Sequence, residues 1–175
     1  MNIYGSNHFD NAGDARMVDV SNKSASHRIA TASGVISMSS STADVVRRGE
    51  GAKGDVISVA RLAAIGGTKW TGHLVPLCHP IAIESVDVAF DWLPRDDASN
   101  DRLRCRVTVS TTGKTGVEME AITGVTTGLI TVYDMIKSIE REASIGQIRL
   151  ERKSGGKSGH WVAADVAVAD DHAGL

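Results

Sequence analysis

Two short segments of this chain alternate with period two on either side of one polar loop. Val86, Val88, Phe90 and Trp92 interleave with Ser85, Asp87, Ala89 and Asp91, and Leu103, Cys105, Val107 and Val109 interleave with Arg102, Arg104, Arg106 and Thr108. Side chains on a strand point alternately to opposite faces, so each segment buries one face and wets the other. The loop PRDDASND between them closes an antiparallel hairpin. Its wet faces are acidic on one strand and basic on the other, which favours cross-strand pairing.

Around this hairpin the other elements follow. Residues 117–143 carry Ile122, Val125, Leu129, Val132, Tyr133, Ile136 and Ile139 at three- and four-residue spacing, which predicts a long helix. A short strand is expected at 29–38 and a short helix at 41–48. Asp55 suits the N-cap of a helix that reaches about Ile65, where Gly66-Gly67 ends it. Ile148 and Leu150 alternate with Arg149 and Glu151, giving a last strand. Helices set against an antiparallel sheet make an α+β sandwich. Residues 1–16 and 162–175 read as mobile tails around a single domain at 17–161.

The totals narrow the function. The chain has 175 residues, 42% of them hydrophobic, which suits one domain with a real core. Its net charge is −2 and its pI about 6.3, so it lacks the basic excess of a nucleic-acid binder. Two cysteines, Cys78 and Cys105, make neither a disulfide framework nor a CxxC metal pattern, and they fit a reducing, cytoplasmic setting. No apolar h-region opens the chain, and no apolar run reaches the ~18 residues of a membrane helix.

Any anion site must therefore be a local concentration of cations. Lys153 to Gly159 reads KSGGKSG, and glycine-lysine loops also surround Lys53 and Lys114. None is a P-loop: the motif GxxxxGK[ST] would need glycine where Glu151 and Thr108 stand. Each loop alone is an ordinary solvated turn. Together they suit one polyanionic ligand held by several loops. Asp134 and Lys137 share a helix face, as a surface ion pair or as an acid–base pair beside an anion. Glu118 and Glu120 complement the dipole of the helix start, or accept from a guanidine-like edge. Cys78-His79, clamped between Pro76 and Pro80, presents His79 rigidly. With His73 it offers too few and too irregular ligands for zinc.

Taken together, MVDVSNK (17–23), KGDVISVARLAAIGG (53–67), LVPLCHPI (74–81), TGKTGVEMEA (112–121), YDMIKSIE (133–140) and KSGGKSG (153–159) resemble the molybdenum cofactor biosynthesis protein C family, the cyclic pyranopterin monophosphate synthases. The resemblance covers roughly residues 17–161. It implies a ferredoxin-like fold. It also implies a hexamer, a trimer of dimers, with active sites between subunits. The activity implied is rearrangement of (8S)-3',8-cyclo-7,8-dihydroguanosine 5'-triphosphate, made by a radical SAM partner enzyme, to cyclic pyranopterin monophosphate with release of pyrophosphate. Matched by motif, Asp134 is the family's catalytic aspartate, and Lys137, Lys153 and Lys53 are lysines important for activity. Leu77, Cys78 and His79 match the substrate-binding loop, and Met119 and Glu120, with Glu118 beside them, a second substrate-binding segment. Gly124 and Gly128 are poor helix formers that suit close helix packing, for instance between subunits.

The chemistry so implied needs groups that exchange protons near pH 7. Lysines flanked by other cations have lowered pKa values, which points to Asp134, Lys137 and Lys153 as the proton-handling set. Lys53 and His79 would hold phosphate oxygens. Mg²⁺ can accompany the triphosphate, although no carboxylate cage is set aside for it and no other cofactor is called for. The alternative is a module that binds a guanine nucleotide or pterin phosphate without turning it over.

Overall fold

The computed structural model of the chain describes residues 8–9, 12–51, 54–94 and 100–166. The elements run β1 (Ser26–Ser39), α1 (Ser40–Arg48), α2 (Val56–Leu74), β2 (Ser85–Trp92), β3 (Asn100–Gly113), α3 (Glu118–Ile136), β4 (Ser144–Ser154) and β5 (Trp161–Val162). They form one five-stranded sheet in the order β2-β3-β1-β4-β5, with every neighbouring pair antiparallel. The first four strands, with helices crossing after β1 and β3, make the ferredoxin-like split βαβ arrangement.

The predicted hairpin is β2–β3, with Val86 opposite Val109 and Trp92 opposite Leu103. Its apolar face meets α2 and α3. Val107, Val109, Cys105, Ala30, Ala32 and Ile36 of the sheet are buried against Ala60, Ala64, Val125, Leu129 and Val132. On the other face, the expected cross-strand charge pairing is met by Arg104 and Asp91 at 3.3 Å. Arg106 instead crosses to Glu151 of β4 at 2.9 Å.

Two helix boundaries differ from expectation. α2 does not stop at Gly66-Gly67 but runs on to Leu74, and Gly67 is where α3 lies against it. A Cβ at Gly67 would overlap the Thr127 side chain of α3, and one at Gly124 would sit 2.7 Å from Thr68 Cγ2. The propensity lost by each glycine, about 1 kcal/mol relative to Ala, is offset by this close approach. The glycines of α3 thus serve packing within the chain. Asp55 caps α2 as predicted, accepting from Ile57 N at 3.0 Å and Ser58 N at 3.2 Å.

α3 ends at Ile136 rather than near residue 143, leaving Ile139 exposed. The chain turns off because Glu140 is needed elsewhere. Its carboxylate accepts from Ser39 N at 3.0 Å and Ser39 Oγ at 2.7 Å, tying the end of α3 to the start of α1. At the two ends of the chain, Arg16 N donates to His8 O at 2.8 Å, and Ala163 N to Glu151 O at 2.8 Å. The remainder of the two expected tails, 1–7, 10–11 and 167–175, lies outside the described residues.

Candidate active site

A cleft of about 520 Å³ opens at the N-terminal end of α3. Three segments far apart in sequence wall it. The first is Leu77, Cys78, His79 and Ile81. The second is Thr115, Gly116, Glu118, Met119 and Glu120. The third is His8, Val18, Val20 and Lys23. All six residues picked out by sequence as substrate-binding are therefore brought together.

The PLCHP wall is held by its own backbone. Pro76 and Pro80 fix φ on either side of Cys78-His79. Cys78 N donates to Val75 O at 3.0 Å, closing a turn off the end of α2. Pro80 packs back on that helix, where a Cβ on Gly72 would be 3.3 Å from Pro80 Cα. The thiol of Cys78 is pushed up in pKa, first by burial and then by Glu120, so it is a neutral group rather than a nucleophile.

Glu120 is 3% exposed. Burial, reinforced by the like charge of Glu118 and opposed by a backbone hydrogen bond, raises its carboxyl to about 7. A carboxyl that titrates near neutrality can donate or accept a proton at working pH. Glu118 behaves differently, because Lys153 Nζ donates to its Oε1 at 2.8 Å. Lys153 also donates to Ser158 Oγ at 2.9 Å. Gly155 and Gly156, at φ +91° and +70°, make the turn that returns Ser158 to that lysine. A side chain at Gly155 would overlap the carbonyl of His27, and one at Gly156 the guanidinium of Arg28. KSGGKSG is thus a turn packed on the end of β1.

Lys153 reaches this position through a bulge. Ile148 and Leu150 face the helices, Leu150 standing opposite Ala32. Strict alternation would then send Lys153 to the wet face with Arg149 and Glu151. The register shifts at Thr31/Ala32, however, so that Arg152 stands opposite Thr31 and Lys153 opposite the buried Ala30. Glu151 is the extra residue, turned to Arg106 on the wet face. The bulge restores Lys153 to the helix side, where α3 begins.

Lys53 is outside the described residues. Asp134 and Lys137 pair at 2.6 Å, with side chains 49% and 53% exposed. Asp134 stands near the far end of α3, about 24 Å from Glu118 at 1.5 Å per residue, and Lys137 is the cap beyond it. Asp134 holds the Lys137 ammonium above its ordinary pKa. The cations expected beside these lysines are not their partners here: Lys137 faces an aspartate and Lys153 a glutamate. Among the described residues no three His, Cys, Asp or Glu side chains are grouped to hold a metal ion. No described helix is long and apolar enough to cross a membrane.

Sequence reasoning missed the third wall. Val18 and Val20 alternate about Asp19, and Lys23 follows in a polar SNK turn. These residues belong to the MVDVSNK motif (17–23), to which the resemblance attaches no site role.

Residues 17–156 match the MoaC family. The chain belongs to that family. A relative from Rhodopirellula baltica, named cyclic pyranopterin monophosphate synthase, is 53% identical over 161 residues, 89% of this chain and 92% of that protein. One from Novosphingobium aromaticivorans bears the same name and is 48% identical over 158 residues, 90% of this chain and 97% of its own length. The family match spans all three glycine-lysine segments except the last three residues of KSGGKSG.

Proposed function

We propose that this member of the MoaC family is a cyclic pyranopterin monophosphate synthase, a lyase of molybdenum cofactor biosynthesis. Its substrate is the cyclised dihydroguanosine triphosphate left by a radical SAM enzyme, and pyrophosphate is released. The observation that carries the reading is convergence. Leu77, Cys78, His79, Glu118, Met119 and Glu120 line one cleft, with Lys153 tied to its edge, in a chain about half identical to synthases.

In this reading the donor-rich base of the substrate lies against the carboxyl of Glu120. The phosphates lie toward His79 and the lysine loops, Lys53 among them, with Mg²⁺ accompanying the triphosphate. A ribose-derived hydroxyl attacks the α-phosphorus, forming one P–O bond and breaking the α–β bridge, and the leaving pyrophosphate takes the electron pair. Clustered cations stabilise that charge. Asp134, Lys137 and Lys153 pass protons during ring opening and closure.

Asp134 and Lys137 cannot reach the cleft of their own chain, so a second copy supplies them. Ile130, one turn before Asp134, is 53% exposed, and Leu62, Trp70 and Leu74 of α2 are 59–70% exposed. Apolar surface of this extent is what a neighbouring subunit covers. A homo-oligomer with shared sites, a hexamer built as a trimer of dimers, fits this surface, and the two free thiols suit the cytoplasm.

The test is pyrophosphate release by the purified chain on the cyclised triphosphate, with Asp134→Asn alongside. Release by the native chain and none by the variant is expected. Binding without release by either leaves a nucleotide-binding module.

A further inference from the structure

Three lysines stand near the mouth of the cleft, and two of them are committed. Lys153 is held by Glu118 and Ser158. Lys114 Nζ donates to Ser21 O at 2.7 Å, which holds its ammonium on the 19–23 turn. Lys23 lines the cleft and is the one lysine or arginine among the described residues that do so. Among the described residues no hydrogen bond or ion pair engages its ammonium.

The turn that carries Lys23 is firmly built. Ser21 N donates to Asp19 Oδ1 at 2.8 Å, Lys23 N donates to Val20 O at 3.1 Å, and Lys114 clamps the turn from across the cleft. Three bonds thus fix the base of a lysine whose tip has no partner among the described residues. Facing it are Thr115, with a hydroxyl, and the start of α3, which no side chain caps. Hydroxyls, open helix N–H groups and an ammonium are the donors that phosphate oxygens accept from. The two glutamates of the same wall do not oppose an anion with full charge. Lys153 neutralises Glu118, and Glu120 is about half protonated near pH 7.

We infer that Lys23 is a phosphate-holding residue of the cleft, placed by the 19–23 turn to take the leaving end of the substrate's triphosphate. This rests on the synthase reading and gives a role to the last residue of the MVDVSNK motif, to which the sequence reading assigned none. Lys114, which the glycine-lysine pattern favoured, serves as a clamp instead.

The experiment compares the native chain with Lys23→Met, Lys23→Arg and, as a control on the outer face of α2, Lys69→Met. The readouts are KM for the cyclised triphosphate, kcat, and inhibition by free pyrophosphate as a probe of the same subsite. Losing one charge-assisted contact raises KM and weakens pyrophosphate inhibition about 10- to 100-fold in Lys23→Met. kcat stays within about 3-fold, Lys23→Arg recovers most of the affinity, and Lys69→Met matches the native chain. KM and pyrophosphate inhibition unchanged in Lys23→Met, with the native chain active, overturn the inference. A native chain that releases no pyrophosphate overturns the synthase reading itself, so the two failures are distinguishable. Circular dichroism of Lys23→Met unchanged from native keeps a folding defect from imitating the expected result.

Discussion

The two ends of α3 carry the same kinds of side chain in opposite circumstances. At its start a carboxyl, Glu120, is buried and moved to about 7, and a second, Glu118, is gripped by Lys153. At its end Asp134 and Lys137 make a half-exposed pair at 2.6 Å. The first end is poised for chemistry by its surroundings within one chain. The second is an ordinary surface pair, worth little by itself. Residue type alone therefore does not bring a carboxyl near neutrality, and burial does. On the proposed reading, the exposed end acts only where a second copy takes water away from it.

The sharpest way to break this contrast is to divide the two ends between chains. Asp134→Asn and Lys153→Met, each alone, are expected to lose about 10³-fold in pyrophosphate release, within the range for a positioned proton-transfer group. Co-refolded in equal amounts, they recover about a quarter of native activity, because half of two-fold pairs are mixed and each mixed pair has one intact site. A mixture no better than its parents would mean that both ends act in one chain.

Next in size is a stability effect confined to the buried end. The folded pKa of Glu120 lies above the value of about 4.5 for an open chain. Its favourable contribution is present in full below about pH 4.5 and is lost as pH rises toward 7. Glu120→Gln should remove that slope, gaining roughly 2–3 kcal/mol on the native chain between pH 4.5 and 8. Urea unfolding across that range is the measurement. Asp134→Asn, at the exposed end, shifts stability by under about 0.5 kcal/mol at any of these pH values. Equal slopes for both would erase the distinction between the ends.

The rod between the ends can be tested as well. Gly67→Ala forces a methyl into Thr127 and should cost about 1–3 kcal/mol by urea unfolding. Gly66→Ala, where a Cβ meets nothing within 4 Å, should stabilise α2 by up to about 1 kcal/mol.

Much of this arrangement is legible in the sequence, for identifiable reasons. The β2–β3 hairpin follows from period-two alternation, and α3 from its apolar stripe, because each buries one face and the pattern records which. The course of α2 through Gly66-Gly67 is not legible, since the reason for Gly67 is Thr127, sixty residues further on. The six cleft residues are identified by motif, yet spacing alone does not bring PLCHP to the start of α3. Only the sheet order does. Nor does alternation give the face of Lys153. No glycine or proline marks the bulge at Glu151, and the strand reads straight through it. The smallest predicted effect concerns that residue. Deleting Glu151 leaves Leu150 opposite Ala32 and Lys153 opposite Ala30, so turnover should stay within about 10-fold of native despite the lost Arg106 contact. A collapse to the level of Lys153→Met would show that the bulge itself aims the lysine.

β4 is in effect written in three reading frames, its register on β1 slipping near Gln147 and again at Glu151. Ile145 and, after the first slip, Ile148 and Leu150 serve the hydrophobic core, and from Arg152 onward the parity serves the lysine that meets Glu118. Each splice is a single residue that neither flanking frame counts. A strand spliced in this way can have its core half rewritten, or a residue gained or lost at a joint, without moving Lys153 off its face.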